Sequence, residues 1–442
     1  MKKRFAEMRL FNYRLWISLC ALALIPAIYQ TVKTSLISSV AQAGAFDIIG
    51  QMEWFDLINE TLQAFLIIPL YSILNRIFKN HRETFAEATF KTGLFTFVLY
   101  TLFSLGVLVY GSVLIQAMNP GEIDLSTASV YLRLETVAFM LGILVSFANV
   151  VFVVIGNDKN VYIFLGIRTV LSVIADFLLI PYFGIYGVAV SNMITNTLLS
   201  VACAILLCKQ GYIRLCLPGK ADGELFREWG KIGALSGLQQ FVDNFIYAVM
   251  VCKMVNMVAE QGNYWIANNF IWGWLLIPIT ALAEVIRADC KEGYKQLHMR
   301  NYYLVAVAGA AIWAVTIPAW TPFFRYVQNL ENAHEIFMIT LKLMPFYVAY
   351  AGCAIIDNVF VGLGKTGYTA VNSLIINLGY YGVFYILSRT NVINFDMNTI
   401  ILMFGFGMVA HLAVSLTEEK LIFRKKTEIS SDNTKPQPLE NR

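Results

Sequence analysis

The chain has 442 residues, of which 58% are hydrophobic and 14% charged, with a mean hydropathy of +0.62 and a formal net charge of +4. That composition excludes an ordinary soluble domain and reads as an all-α polytopic membrane protein. The small positive excess sits in loops and forms no basic stripe with interleaved aromatics, so nucleic acid is not an expected partner and the lipid bilayer is.

A spanning helix needs roughly 20 apolar residues. Runs of that kind centre on 14–40, 54–75, 92–116, 131–155, 161–181, 186–208, 230–258, 264–286, 302–323, 335–361, 368–388 and 397–417, which makes about 12 spans, six in each half of the chain. The first run is too long for a signal peptide and is kept as a span. Lys and Arg gather before span one, after span two, between spans six and seven and after span eight, while the alternate loops are acidic or neutral. Basic short loops stay cytoplasmic, so both termini are expected in the cytoplasm of a plasma-membrane protein.

Span one carries Lys33 inside its apolar run, and span two opens with Glu53, Asp56, Asn59 and Glu60. Asp56 and Glu60 share a helix face; Asp56 is expected near the outer surface and Glu60 deeper. Span four carries Asn149 and stops at Gly156. In span five, Arg168, Ser172 and Asp176 recur every fourth residue and project from one face; that helix is expected to end at Pro181 and turn at Gly184 and Gly187. Residues 211–229 read as a cytoplasmic linker between an N-lobe, 1–210, and a C-lobe, 230–420. Span seven carries Asp243, span eight Asn268 and Asn269, and span ten Asp357. Glu284, Arg287 and Asp289 form a charge cluster able to latch a gate at the inner side. The tail 421–442 reads as disordered. The seven cysteines show no metal spacing and read as core residues. The four histidines are not paired at ligand spacing, so no catalytic residues, resident metal or cofactor are expected.

The two halves repeat one another. Lys33 and Asp243 stand 210 residues apart in matching contexts, Gln30 and Val32 recurring as Gln240 and Val242. Pro69 and Pro278 follow at an offset of 209, with Glu60 answered by Asn269. Gly156 and Gly364 follow at 208, with Asn149 answered by Asp357. Three blocks in one order describe two homologous six-helix lobes, the pattern of transporters with a site between repeats.

The stretch Pro26 to Val40, the turn from Gly156 to Lys159, the run from Asp176 to Ser191 and the stretch from Asn377 to Gly382 resemble the multidrug and toxic compound extrusion (MATE) family of the multidrug/oligosaccharidyl-lipid/polysaccharide exporter superfamily. The resemblance spans residues 12 to 418. It implies a V-shaped pair of lobes, alternating access, and export of small organic, often cationic compounds in exchange for Na⁺ or H⁺, by a monomer. Asp176 matches the family's span-five carboxylate, Asp243 its span-seven acid, and Asp357 lies near its span-ten acid. Coupling would then use Asp243 and Asp357, where a Na⁺ could sit, with Asn268, Asn269, Asp176 and Ser172. Lys33 departs from the family by standing where many members carry an acid. It reads equally as a structural partner of Asp176 or Glu60 and as a cationic site with Glu60, Asn149 and Arg168. The alternative within transport is a flippase for a lipid-linked oligosaccharide or another phosphate-bearing lipid, which Lys33 and Arg168 would suit.

Overall fold

The computed structural model describes residues 11–40, 44–121, 123–216, 219, 222–258, 261–290, 297 and 299–432. Nearly all of them are helical. The N-terminal half runs as α1 (Tyr13–Val40), α2 (Ala45–Gln51), α3 (Glu53–Leu66), α4 (Ile68–Asn80), α5 (Phe85–Met118), α6 (Leu125–Val154), α7 (Asp158–Phe183) and α8 (Ile185–Lys209). The second half runs as α9 (Gly223–Ile246, extended through Val255 by a wider π turn), α10 (Gln261–Phe270, with a π turn to Leu275), α11 (Ile277–Asp289), α12 (Met299–Pro322), α13 (Ala333–Gly362), α14 (Thr366–Leu374, continuing to Arg389) and α15 (Met397–Asp432).

Ten helices among the described residues are long and apolar enough to cross a membrane, and α10 with α11, bent by 51°, makes an eleventh. The twelfth expected span is α9 with its extension, whose apolar run is interrupted by Gln239, Gln240, Asp243 and Asn244.

The repeat is visible in the backbone. Span two breaks into α3 and α4 with Pro69 in the first turn of α4, and span eight breaks into α10 and α11 with Pro278 in the same place. Proline cannot donate to the carbonyl four residues back, so each break leaves acceptors open. Gly156 and Gly364 take left-handed φ values of 74° and 71° after α6 and α13. In both, the glycine N–H bonds three residues back (3.1 and 3.0 Å) and the next N–H five back (both 2.8 Å).

Three expectations need correction. Helix α7 does not stop at Pro181 but runs to Phe183, because the turn is set by Gly184 at φ 56°. A Cβ on Gly187 would sit 2.6 Å from the Leu179 carbonyl oxygen, so the α7–α8 hairpin closes only over glycine. Gly187→Ala should therefore lower stability by at least ~1–3 kcal/mol, read as a lower melting temperature in detergent; an unchanged melting temperature would refute the close approach. The second correction concerns 211–229, since α9 already begins at Gly223 and the stretch is clamped to the first half. Arg76 grips Glu228 with its two terminal guanidinium nitrogens, Lys91 Nζ lies 2.9 Å from Asp222, and Arg214 lies 3.4 Å from Glu87. The Gly219 N–H and the Lys91 ammonium hold the Asp222 carboxyl below the usual carboxylate range. Third, α15 continues to Asp432 into the expected disordered tail, where Lys, Arg and Glu favour helix; residues 433–442 lie outside the described residues.

The first helix of each half packs on the opposite half. Trp229 of α9 is buried in a core built from α4, α5, α6 and α8, and its indole N–H reaches the Leu66 carbonyl at the α3–α4 break (3.2 Å). Reciprocally, Phe11 and Trp16 join the core of α10 to α15, and the Trp16 indole reaches the Pro278 carbonyl (2.9 Å). Each tryptophan thus satisfies an acceptor beside a proline break in the other half.

At the end of the bundle remote from the chain termini, the two halves also meet directly. The Asp47 carboxylate accepts the Gly262 N–H at the start of α10 (2.7 Å), Asn256 donates to the carbonyls of Gln51 and Met118 (both 3.3 Å), and the Ser38 hydroxyl donates to the Asn329 carbonyl. Gly262 and Gly121 are required there, since a Cβ would lie 2.7 Å from Asp47 Oδ1 and 2.9 Å from the Asn256 carbonyl oxygen, respectively.

Candidate functional site

A cavity of about 400 Å³ lies between α1, α3, α6 and α8 and is closed on one side by α10. Lys33 enters it from α1. Four carboxylates face the same space: Glu53, Asp56 and Glu60 from α3, and Glu135 from α6. Their spacing explains the convergence, because 53, 56 and 60 fall on one helical face. Asp56 and Glu60 count as exposed because they face this void, although the protein surrounds it. Asp56 therefore belongs to the cavity rather than the outer surface.

Glu135 is 6% exposed and is held by the Asn192 amide (2.9 Å) and the Tyr131 hydroxyl (3.3 Å). Sequence reasoning missed it. It stands near the start of span four, beside Arg133, where a charge reads as a boundary; its reach into the lobe follows only from the packing of α6 on α8.

Lys33 does not contact Asp176 or Glu60 as an ion pair in this conformation, among the described residues. Instead its ammonium lies 5.9 Å from the centroid of the Tyr29 ring, one turn earlier on α1, and the Tyr29 hydroxyl donates to Asp176 Oδ2 (2.8 Å). A cation over an aromatic face is held by the ring quadrupole. Tyr29 thus stands between the lysine and the buried aspartate. Asp176 and Ser172 are 1% and 5% exposed, and Ser172 also reaches the Tyr29 hydroxyl; Arg168, on the same face of α7, is exposed. Asp176 Oδ1 is buried with no partner among the described residues. Glu60 accepts from the Asn244 amide of α9 (3.3 Å), which also donates to the Leu57 carbonyl (3.0 Å).

Asn269 lines the cavity as Glu60 does, and donates to the Trp265 carbonyl (3.0 Å). Trp265 also lines it. Asn268 accepts from the Tyr347 hydroxyl (3.1 Å), away from the cavity. Asn149 is partly buried, with its Oδ1 unpartnered among the described residues. The side chain of Asp243 lies outside the described residues; its neighbour Asn244 is the one seen reaching Glu60. Asp357 is not in the cavity but between α13 and α15, where it accepts from the Ser415 hydroxyl (2.8 Å) and lies 2.9 Å from His411 Nε2. The cluster at the end of α11 is internal to the second half: Arg287 binds Glu284 (2.7 Å) and Asn358 (2.6 Å), and Asp289 accepts from Tyr302 (2.7 Å). Among the described residues, none of these bonds reaches the first half.

One ammonium facing four carboxylates leaves the cavity able to hold up to three further positive charges. Groups so placed, away from bulk water, favour cations and exclude anions.

No family model and no curated relative matches the chain. Solved structures do. An inward-facing multidrug resistance MATE family transporter of the MOP superfamily is 14% identical, covering 92% of this chain and 96% of that one at a TM-score of 0.71. The lipid II flippase MurJ in an inward closed conformation is 11% identical, covering 92% and 87% at 0.71. A MOP superfamily transporter from Pyrococcus furiosus, described by the reverse polarity of its binding pocket and a different function, is 15% identical, covering 94% and 96% at 0.61. The chain therefore has the fold of MATE transporters of the MOP superfamily.

Proposed function

We propose that this protein is a secondary active transporter that exports small organic cations across the plasma membrane in exchange for Na⁺ or H⁺. The observation that carries the reading is the charge balance of the cavity, Lys33 against Glu53, Asp56, Glu60 and Glu135. Exchange requires that the driving ion and the substrate each bind the two conformations unequally. Carboxylates that can be occupied by a proton, a Na⁺ or an organic ammonium provide one shared set of ligands for both. The fixed ammonium of Lys33 sets how many such charges the cavity holds at once.

The same balance argues against a phosphate-bearing lipid as cargo, since four carboxylates would repel a phosphate that Lys33 alone attracts. The test is transport by the purified protein in liposomes, with Na⁺ and pH gradients imposed separately, against a panel of cationic dyes and phosphate-bearing lipids. Gradient-driven movement of the dyes is expected. Movement of the phosphate-bearing lipids alone would overturn the reading. Asp243→Asn, beside the residue that holds Glu60, is expected to abolish gradient-driven efflux with substrate binding retained; wild-type coupling in that variant would remove Asp243 from the coupling set.

A further inference from the structure

Away from the cavity, in the part of the second half nearest the chain termini, α13 and α15 bring together three side chains of metal-binding type. Cys353 and Asp357 lie one turn apart on α13, and His411 faces them from α15. The Sγ atom, one carboxylate oxygen and one imidazole nitrogen all lie within 4.8 Å of one another. Cys353 is 1% exposed, an unusual place for a thiol that shares its surroundings with a carboxylate and an imidazole.

The surroundings are built in the manner of a ligand shell. Ser415, one turn after His411, donates to Asp357 Oδ1 (2.8 Å) and accepts from the fully buried Asn372 amide (2.7 Å), so the carboxylate is fixed by a second layer of groups. Glu418 follows on the same face of α15, seven residues after His411, and its Oε2 is buried without a partner among the described residues. An unpartnered carboxylate oxygen beside a Cys, Asp and His set is the observation that calls for a cation. His411 alone supplies one only when protonated.

We propose that Cys353, Asp357 and His411 form a binding site for a zinc-class divalent cation, with water in the remaining position. The donor set decides the class: a thiolate, an imidazole and a carboxylate suit a borderline metal of tetrahedral preference, whereas Na⁺, Ca²⁺ and Mg²⁺ take oxygen. Zinc bonds of about 2.0–2.3 Å require the imidazole and carboxylate, now 2.9 Å apart, to part slightly and the Cys353 sulfur to settle beside them. Side-chain rotation on two rigid helices can provide that. Loading requires the Cys353 thiol and the Nε2–H that faces Asp357 each to release a proton to water, the imidazole carrying its remaining proton on Nδ1 so that the Nε2 lone pair can turn from Asp357 to the metal. The bound ion would tie α13 to α15 within the second half, apart from the organic-cation cavity.

The experiment is titration of the full-length protein in detergent with Co²⁺, followed by its visible ligand-field bands and the near-ultraviolet thiolate-to-cobalt band, then displacement with Zn²⁺. A saturable tetrahedral spectrum with a thiolate band is expected, along with a Zn²⁺-dependent rise in melting temperature. Cys353→Ser should remove the thiolate band, and His411→Gln should weaken binding by more than the roughly 10–100-fold that losing an outer-layer partner costs; Ser415→Ala should fall within that 10–100-fold range. Cys203→Ser, a buried cysteine of the first half, should change nothing. The metal-free melting temperature of each variant reports whether it folds. Absence of saturable binding by the wild-type protein would overturn the proposal, as would a spectrum of six-coordinate type that Cys353→Ser and His411→Gln leave unchanged, which is an adventitious ion only.

Discussion

Glu135→Gln is expected to lower the initial rate of organic-cation export about 10–100-fold, with the protein still folded. The carboxylate is nearly buried, and both of its partners, Asn192 and Tyr131, are donors, so its shell is organised around negative charge. A glutamine of the same size keeps the packing and removes the charge. At a separation of about 5 Å and an effective dielectric of about 20, one charge pair is worth about 3 kcal/mol, and each 1.4 kcal/mol is tenfold in affinity. Glu60→Gln should have a smaller effect, because Glu60 is exposed to the cavity and shares Asn244 with the Leu57 carbonyl. Initial rates in liposomes measured side by side decide it. Wild-type rates in Glu135→Gln would show that the four carboxylates do not act as a set.

Gly262→Ala is expected to open the remote end of the bundle. The added methyl would sit 2.7 Å from Asp47 Oδ1 and 3.0 Å from both Asp47 N and Phe46 Cβ, in a seam where backbone and carboxylate already touch. The Asp47 carboxylate can turn aside only by giving up its bond to the Gly262 N–H, and the Asp47 backbone and Phe46 Cβ must still give way, which pushes the halves apart; overpacking of this kind costs about 1–3 kcal/mol. A bias of that size shifts a two-state population roughly 5- to 150-fold. Spin labels at the exposed positions Ser126 and Glu331, one in each half, would report it in a background without the seven native cysteines. The longer of two distances should gain population in Gly262→Ala. Asp47→Ala should shift it less, since it removes one hydrogen bond and adds no clash. An unchanged distance distribution in Gly262→Ala would mean that this seam does not gate.

How much of this was readable beforehand depended on whether a residue's role was local. Gly156 and Gly364 end helices by their own φ, and Pro69 and Pro278 break helices by lacking an N–H; such features are written in the residue type, and the repeat and the helical lobes followed from them. Lys33 was legible as an anomaly for the same reason. Its actual neighbour was not, because Tyr29 is an unremarkable aromatic in an apolar helix until α7 brings Asp176 to its hydroxyl. The reading of Lys33 as a structural partner weighed it against two acids, Asp176 and Glu60, whereas the packing of α3 and α6 gathers four around it in the cavity. His411 likewise looked unpaired in sequence; α15 places it against Asp357. Where a function depends on which helix faces which, composition and spacing are silent.

The exchange of first helices between the halves has a consequence for how the molecule is made. Trp229 belongs to the core of the first half, yet it is translated after all of α1 to α8. Phe11 and Trp16 emerge among the first residues and find their partners, Tyr302 and Pro278, only when most of the chain has been synthesised. Neither half can be finished while the other is missing. The newborn first half waits in the bilayer with the α3–α4 break unsealed, and assembly ends with two docking events that join the halves as they complete them. A chain cut at the linker would sever no core contact that crosses it, provided both pieces meet in one membrane.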